Sequence, residues 1–288
     1  MKTRNLLSKT LLAIAAATVF VSCDKIEPGN YIVYSGTTGV WENGSNVDDH
    51  SQRTIIEKYT GVRCVNCPTA DMAINTAMSS YGNKLIAVSI HDSSFAFTRP
   101  IGNSNDMRSA DGHALSQYFG VYEGKKYPQG LVGRRKNKSG WDLFTPTAGI
   151  EERVDAIVSK PSQIALSVSA KDNGNGIMIT AQMEWLANID IPLTLTVLIT
   201  EDSIKATQRM PNGEDSTGYV HNHVLRDVIT PLWGVDVNGD GKTGTCRKIT
   251  LDYTGFEASW RKEKCHIVAF VSHKETMEML NATECAIN

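Results

Sequence analysis

Cys64-Val65-Asn66-Cys67-Pro68 is the stretch of this 288-residue sequence that decides the fold. Two cysteines separated by two residues can cycle between a dithiol and a disulfide, or can hold half of a metal site. A β-rich run, Thr54–Tyr59, precedes the pair, and residues 69–81 after it carry helical periodicity. The order of the segments therefore predicts a strand followed by a cysteine pair at the start of a helix.

The residues around the pair bear on its reactivity. A thiolate at a helix N-terminus is stabilised by free backbone amides and by the positive end of the helix dipole. Cys64 is placed for that role, and Arg63 adds a positive charge, whereas Asp71 opposes the effect. Cys67 falls inside the first turn, as a resolving thiol should, and Pro68 lacks an amide hydrogen where the helix does not need one.

The length and the charge of the chain limit the class of protein to which it can belong. A chain of 288 residues is long enough for two ordinary domains. Its 29 basic and 31 acidic residues provide no basic face for a phosphate backbone, which argues against a nucleic-acid partner. The sequence indicates no cofactor.

The first 22 residues are predicted to be a signal peptide, because basic residues precede an apolar run at 11–21 that is too short to span a bilayer. Phe20-Val21-Ser22-Cys23 resembles the lipobox of bacterial lipoproteins, so Cys23 is expected to be the lipidated first residue of the mature protein. An ordinary signal peptide with an incidental cysteine is the alternative. Lipidation would anchor the chain to a membrane without spanning it.

Residues 23–51 are rich in Gly, Asn, Ser and Asp, and are predicted to be a tether with a possible short strand at 31–34. Export would place the body in an oxidising compartment. There a CxxC pair is more often redox-active or disulfide-bonded than zinc-loaded.

Two domains are predicted from a change in pattern. Residues 52–160 alternate strands and helices, including a continuous apolar run at 84–91 that is typical of a strand buried on both faces. Residues 161–288 carry strands alone, which indicates a β-sandwich. A single continuous α+β domain is the alternative. The predicted strands of the second part are 163–170, 176–185, 193–200, 223–229, 247–253, 266–273 and 281–287.

The first part resembles the thioredoxin superfamily, through CVNCP after a strand and a later Tyr127-Pro128 before another strand. The resemblance implies that Pro128 is a cis-proline facing the two sulfurs and that Tyr127 contributes backbone to substrate binding; an ordinary trans turn proline is the alternative. Arg63 before the pair and Val65-Asn66 within it depart from the thioredoxin motif. The direction of exchange therefore stays open.

A longer pattern resembles the 28-kilodalton outer-membrane lipoprotein family. It consists of IEKYTG at 56–61 before CVNCP, HNHVLR at 221–226 in the β-rich part, and the lipoprotein signal. The resemblance implies a thioredoxin-like domain followed by an immunoglobulin-like domain at a bacterial outer membrane, facing either the periplasm or the surface. It implies no established reaction.

Two further residues are candidates for the site. In thioredoxin-like enzymes the strand before the pair often holds a carboxylate that carries a proton for the buried thiol, and Glu57 is the candidate here. The alternative is an exposed glutamate paired with Lys58 or Arg63. His91, at the end of the next strand, is within possible reach of the sulfurs, although strand-end histidines are more often structural.

Three cysteines remain, and each of their three pairings leaves one thiol free. Cys246 and Cys265 each begin a predicted strand, and this pairing is preferred over those with Cys285.

Metal sites receive weak support. Asp236, Asn238 and Asp240 match the first half of a calcium loop, but Arg247 stands where a bidentate glutamate is required, which favours a polar turn. His221 and His223 have the spacing of a two-histidine edge on one strand, with structural or contact roles favoured. The basic run at 134–138 is expected to be a solvated loop.

The leading hypothesis is a membrane-anchored protein that exchanges disulfides with protein thiols of the cell envelope, Cys64 attacking and Cys67 resolving. The alternative is a surface binding or adhesion lipoprotein in which the same pair is a structural disulfide.

Overall fold

A computed structural model describes residues 31–34, 37–237 and 239–288 of the chain. The predicted signal peptide and Cys23 lie outside these residues. Among the described residues, no helix combines the length and the apolar character needed to cross a bilayer.

Four α-helices and seventeen strands are found in the described part of the chain. The helices are α1 (Cys67–Tyr81), α2 (Ala110–Tyr118), α3 (Val121–Gly124) and α4 (Ile150–Val158). The strands of the first half are β1 (Tyr31–Tyr34), β2 (Thr37–Asn43), β3 (Thr54–Tyr59), β4 (Leu85–Ile90), β5 (Gln129–Val132), β6 (Lys136–Asn137) and β7 (Gly140–Trp141). Those of the second half are β8 (Ile164–Asp172), β9 (Ile177–Trp185), β10 (Leu193–Glu201), β11 (Ile204–Arg209), β12 (Asp215–His221), β13 (Val224–Val228), β14 (Val235–Asp236), β15 (Cys246–Tyr253), β16 (Cys265–His273) and β17 (Met279–Ala286).

The larger sheet contains strands from both halves. Its order is β17-β16-β10-β13-β4-β3-β5, with β14 added beside β10. β3 and β4 are parallel, and β13 joins β4 where the Ser89 amide donates to the His223 carbonyl at 2.7 Å. The predicted division of the chain near residue 160 therefore does not interrupt this sheet. The division into two domains stays a prediction.

The smaller sheet has the order β1-β2-β15-β9-β8. β2 lies within the segment predicted to be a tether, and its inward-facing Thr37, Gly39 and Trp41 are buried. Trp41 is 3% exposed and belongs to the main hydrophobic core. The tether prediction is therefore corrected: the chain enters the core at residue 37, because alternate side chains of β2 bury apolar surface.

The main core lies between the two sheets. Ile179 and Leu251 of the smaller sheet join Leu195 and Ile267 of the larger sheet in one cluster of buried side chains. β9 alternates strictly between buried and more exposed positions, as expected for a strand with one face in the core.

The β3-β4 end of the larger sheet is covered on both faces. Ile56 packs on the face that holds Ile74 of α1 and Val154 of α4. Ile55 packs on the opposite face with Leu115 of α2. β4 is buried along its whole length, as its unbroken apolar run predicts. Consecutive side chains of β3 thus enter two different environments, which decides the chemistry around the cysteine pair.

Candidate disulfide site at the start of helix α1

Cys64 and Cys67 form a disulfide, with their Cα atoms 5.5 Å apart. Cys67 is the first residue of α1, Pro68 lies in the first turn, and the Cys67 amide donates to the Cys64 carbonyl at 3.3 Å. Both cysteines are almost fully covered, since Cys64 is 4% exposed and Cys67 is 1% exposed. The pair therefore lies at a helix N-terminus, as the sequence predicts, but beneath the protein surface.

The loop before the disulfide is held by the segment after β4. The Arg63 amide donates to the Phe97 carbonyl at 2.8 Å, and a side chain at Gly61 would meet that same carbonyl oxygen at 2.5 Å. Glycine is needed at this close approach. The Arg63 guanidinium donates to the carbonyls of Arg99 at 2.9 Å and Pro100 at 2.7 Å. Arg63 therefore anchors the loop through its guanidinium.

A hairpin from the second half of the chain lies against the same loop. The side-chain amide of Gln208 on β11 donates to the Cys64 carbonyl at 3.0 Å, and the Arg209 amide donates to the Val62 carbonyl at 2.7 Å. Val62 is buried in a small apolar cluster with Ile204 and Ala206 of β11. Sequence reasoning missed these strands, because β12 (DSTGYVH) has no apolar alternation and is largely exposed.

A buried ion pair lies one helical turn beyond the disulfide. Lys58 follows Ile56 on the α1 face of β3, and its ammonium pairs with the carboxylate of Asp71. Tyr219 of β12 donates its hydroxyl to the other oxygen of Asp71 at 2.7 Å. Asp71 follows Cys67 by four residues, so the two side chains share a helix face. Burial lowers the pKa of Lys58 to about 7, which places its proton exchange near neutral pH.

A small cavity of about 40 Å³ is lined by Lys58 and by three histidines, His91, His221 and His223. The ring centroids of His91 and His221 are 6.1 Å apart. Burial, followed by the neighbouring charges of His221 and Lys58, lowers the pKa of His91 well below its ordinary value. Burial and Lys58 lower the pKa of His221 to about 3. Both rings are therefore neutral at pH 7, and the proposed approach of His91 to the sulfurs stays a prediction.

Glu57 does not have the environment expected for it. It is 2% exposed and lies on the opposite face of β3 from Lys58, where its carboxylate accepts from Arg134 at 2.7 and 3.1 Å. The Arg134 guanidinium also faces the rings of Phe119 and Phe270. An exposed glutamate paired with Lys58 or Arg63 is therefore wrong, and so is a solvated Arg134. Strand alternation turns the Glu57 side chain to the face opposite Lys58, and its role as a proton carrier for Cys67 stays a prediction.

The Tyr127-Pro128 peptide bond is cis. The Tyr127 ring packs against Phe95 with the centroids 4.7 Å apart, and burial raises the pKa of its hydroxyl. That Pro128 faces the sulfurs and that the Tyr127 backbone contacts a substrate stay predictions.

The preferred Cys246–Cys265 disulfide is wrong. Cys246, Cys265 and Cys285 are all free thiols, and Cys246 begins a strand of the smaller sheet whereas Cys265 begins one of the larger sheet. The Cys265 thiol instead donates to the Arg261 carbonyl at 3.3 Å. Burial raises the pKa of Cys265 to about 12 and that of Cys285 to about 11, which makes both poor nucleophiles.

The residues considered as metal ligands from the sequence make other contacts or do not lie together. Asp236 pairs with Lys274 at 2.7 Å, Asp240 accepts from the Thr245 hydroxyl, and Asn238 lies outside the described residues. His221 ends β12 whereas His223 follows it with a positive φ of 57°, so the two do not share a strand. Within residues 31–34, 37–237 and 239–288, no group of three or more histidine, cysteine or acidic side chains is arranged to hold a metal ion.

Two solved structures share the fold of this chain, and a third matches a part of it. HBP35 of Porphyromonas gingivalis is 18% identical, with 83% of this chain and 76% of that chain covered at a TM-score of 0.62. A protein of Agrobacterium tumefaciens is 16% identical, with 82% and 95% covered at a TM-score of 0.52. A domain of the outer membrane lipoprotein Omp28 from P. gingivalis is 21% identical over 44% of this chain, with 89% of that domain covered and a TM-score of 0.32.

The family comparison covers the second half of the chain and part of the first. No curated protein matches. A sequence model described as outer membrane protein Omp28 matches residues 114–288, which is more than half of the chain and excludes the cysteine pair at 64 and 67. The match identifies the family and the location, while the chemistry of the pair rests on the site itself. This chain belongs to the Omp28 family of outer membrane proteins, and its location is the outer membrane.

Proposed function

We propose that this outer membrane protein exchanges thiols and disulfides at Cys64 and Cys67, within a thioredoxin-like fold of residues 52–160. The observation that carries the proposal is the disulfide at the N-terminus of α1, one turn from a buried lysine whose pKa is about 7. The helix N-terminus stabilises a thiolate, and the lysine exchanges protons in the pH range where a redox thiol must do so.

The exchange proceeds in two balanced steps from the reduced pair. The Cys64 thiolate attacks one sulfur of a substrate disulfide, forms a mixed disulfide, and releases the other substrate sulfur as a thiolate. The Cys67 thiolate then attacks Cys64 Sγ, restores the Cys64–Cys67 disulfide, and releases the second substrate thiolate. The pair loses two electrons and the substrate disulfide gains them.

Lys58 and Asp71 are the groups suited to handle the Cys67 proton. Asp71 shares a helix face with Cys67, and its carboxylate holds the Lys58 ammonium. A lysine with a pKa of about 7 can accept a proton as Cys67 becomes a thiolate and return it when the pair is reduced.

The rest of the proposal concerns the setting of the site. Residues 1–22 are a signal peptide, Cys23 carries the lipid anchor, and residues 161–288 form an immunoglobulin-like β-domain that selects among protein partners of the envelope. Replacement of Cys23 by serine is expected to abolish incorporation of a labelled fatty acid and to release the protein from membranes. Retention of the label would contradict the anchor.

Trapping of a mixed disulfide tests the exchange. In the Cys67→Ser variant expressed in the native host, a mixed disulfide at Cys64 has no second cysteine to resolve it. Mass spectrometry is expected to find partner peptides linked to Cys64. The matched control is the variant lacking both Cys64 and Cys67, which retains Cys246, Cys265 and Cys285 and reports adducts at those thiols. Equal adduct profiles in the two variants would rule out exchange through Cys64.

A second candidate function is favoured by the coverage of both cysteines, which are 4% and 1% exposed. In this case the disulfide is structural and the protein is a surface binding or adhesion lipoprotein. A disulfide that dithiothreitol reduces only as the protein unfolds supports this candidate, whereas reduction of the folded protein supports exchange.

A further inference from the structure

The hairpin formed by β11 and β12 (Ile204–His221) is an appendage of the fold. Its two strands pair only with each other and join neither of the two larger sheets. β12 is exposed at most positions, and the turn that links the strands, residues 210–214, is solvent-facing. β11, in contrast, is buried at most positions, and its Ile204 and Ala206 pack in the small apolar cluster that contains Val62.

Several contacts of the hairpin lie around the cysteine pair. On β11, Gln208 donates to the Cys64 carbonyl at 3.0 Å and the Arg209 amide donates to the Val62 carbonyl at 2.7 Å. On β12, Tyr219 donates to Asp71 of α1 at 2.7 Å. The hairpin thus bridges the loop before the disulfide and the first turns of the helix after it.

Coverage of the disulfide restricts direct attack by a thiol. Exchange requires a thiolate to approach a sulfur in line with the S–S bond. Cys64 is 4% exposed and Cys67 is 1% exposed, which restricts that approach in the closed structure. Some covering element must move, and the hairpin is an element that contacts the Cys64 backbone through Gln208.

We propose that the β11–β12 hairpin is a lid that closes the disulfide and must lift before a thiol reaches Cys64. This inference rests on the proposed exchange at Cys64 and Cys67, because it supplies the access which that exchange needs. Gln208 and Tyr219 are the two side-chain latches of the lid. The second half of the chain thereby controls the reactivity of a site in the first half.

Kinetics of disulfide reduction test the lid. The full chain is purified, and dithiothreitol is added under conditions in which the protein stays folded. A dithiothreitol thiolate attacks Cys64 Sγ and releases the Cys67 thiolate; the second dithiothreitol sulfur then closes its own ring and releases Cys64. The two new thiols are counted by alkylation and mass spectrometry, and the reductant leaves oxidised.

Variants at the latches are expected to speed this reaction. Loss of one hydrogen bond of ordinary strength should raise the fraction of open molecules about fivefold. Tyr219→Phe and Gln208→Ala are each expected to accelerate reduction by that factor, and the double variant by about twentyfold. Tyr81→Phe is the matched control, because it removes a tyrosine hydrogen bond to Asp155 from the same helix but on a side away from the hairpin.

Two results would overturn the lid. One is a rate in both latch variants equal to that of Tyr81→Phe. The other is acceleration that merely follows global unfolding, measured in parallel by circular dichroism. The outcome is separable from the proposed function. Faster reduction without any trapped partner would keep the lid and reject exchange, and a trapped partner without faster reduction would do the reverse.

Discussion

The two buried ion pairs of strand β3 differ in how firmly their charges are held. Glu57 meets Arg134 through two oxygens on one face, with phenyl rings of Phe119 and Phe270 beside the guanidinium. Lys58 meets Asp71 on the other face, at a small cavity shared with histidines, and burial lowers the pKa of its ammonium to about 7. Adjacent residues of one strand thus form a fixed pair and a titratable pair.

The chemistry of the two cations explains the difference. A guanidinium is delocalised, always charged at physiological pH, and matches a carboxylate with two parallel hydrogen bonds. An ammonium is a compact charge that loses more hydration on burial and releases its proton more readily. The comparison teaches that the Arg134 pair stabilises the sheet, whereas the Lys58 pair is suited to proton exchange beside Cys67.

Breaking the fixed pair should have the largest effect. Glu57→Ala leaves the Arg134 charge buried without a partner, and we expect the free energy of unfolding to fall by about 3–5 kcal/mol. The measurement is urea-induced unfolding at pH 7. Glu152→Ala, at an exposed position of α4, is the control and should change stability by less than about 0.5 kcal/mol. Similar losses in the two variants would mean that the Arg134 pair is not fixed as described.

The titratable pair should instead appear in the pH dependence of stability. The unfolded chain keeps the Lys58 proton up to about pH 10.5, whereas the folded protein releases it above about pH 7. The unfolded state therefore binds more protons in that window, and the free energy of unfolding rises with pH by up to about 1.4 kcal/mol per unit.

Lys58→Met should remove this rise. From pH 7 to pH 9, the free energy of unfolding of the wild type is expected to rise by about 2–3 kcal/mol more than that of Lys58→Met. The measurement is urea-induced unfolding at both pH values. Lys84→Met, at an exposed lysine just before β4, serves as the control. If the free energy of unfolding depends on pH equally in Lys58→Met and in the wild type, Lys58 keeps its charge over this range, as Arg134 does.

The smallest effect concerns the histidine beside Lys58. Because burial holds the pKa of His91 well below 6.5, the unfolded chain takes up a proton below that pH and the folded protein does not. Stability therefore falls as the pH drops below about 6.5. His91→Leu should reduce the loss between pH 7 and pH 6 by about 0.7 kcal/mol, with exposed His50→Leu as the control. If His91→Leu loses as much stability between pH 7 and pH 6 as the wild type, burial does not hold the His91 ring neutral.

Much of the secondary structure could be predicted from the sequence. The run before the pair, the helix after it and the apolar strand at 84–91 are β3, α1 and β4. The seven strands predicted after residue 161 are all present, because each alternates or carries an apolar run between turn residues. β2, β11 and β12 were among the strands missed, since polar residues interrupt their apolar pattern.

The candidate site was less predictable than the fold around it. Strand alternation alone puts Glu57 and Lys58 on opposite faces, but which face receives α1 depends on the packing of the helices. The lowered pKa of Lys58 comes from its burial, beside a cavity that is also lined by Tyr219 and His221, which are distant from Lys58 along the chain.

The sequence by itself determined that a cysteine pair follows a strand and begins a helix, because spacing and periodicity are local properties. Only the tertiary structure decided that a hairpin more than 140 residues away contacts this region, Gln208 at the Cys64 carbonyl and Tyr219 at Asp71. It also decided that β13 extends the β3-β4 sheet into the second half of the chain. Such contacts depend on which surfaces exclude water together, and that is settled by the packing of the whole chain.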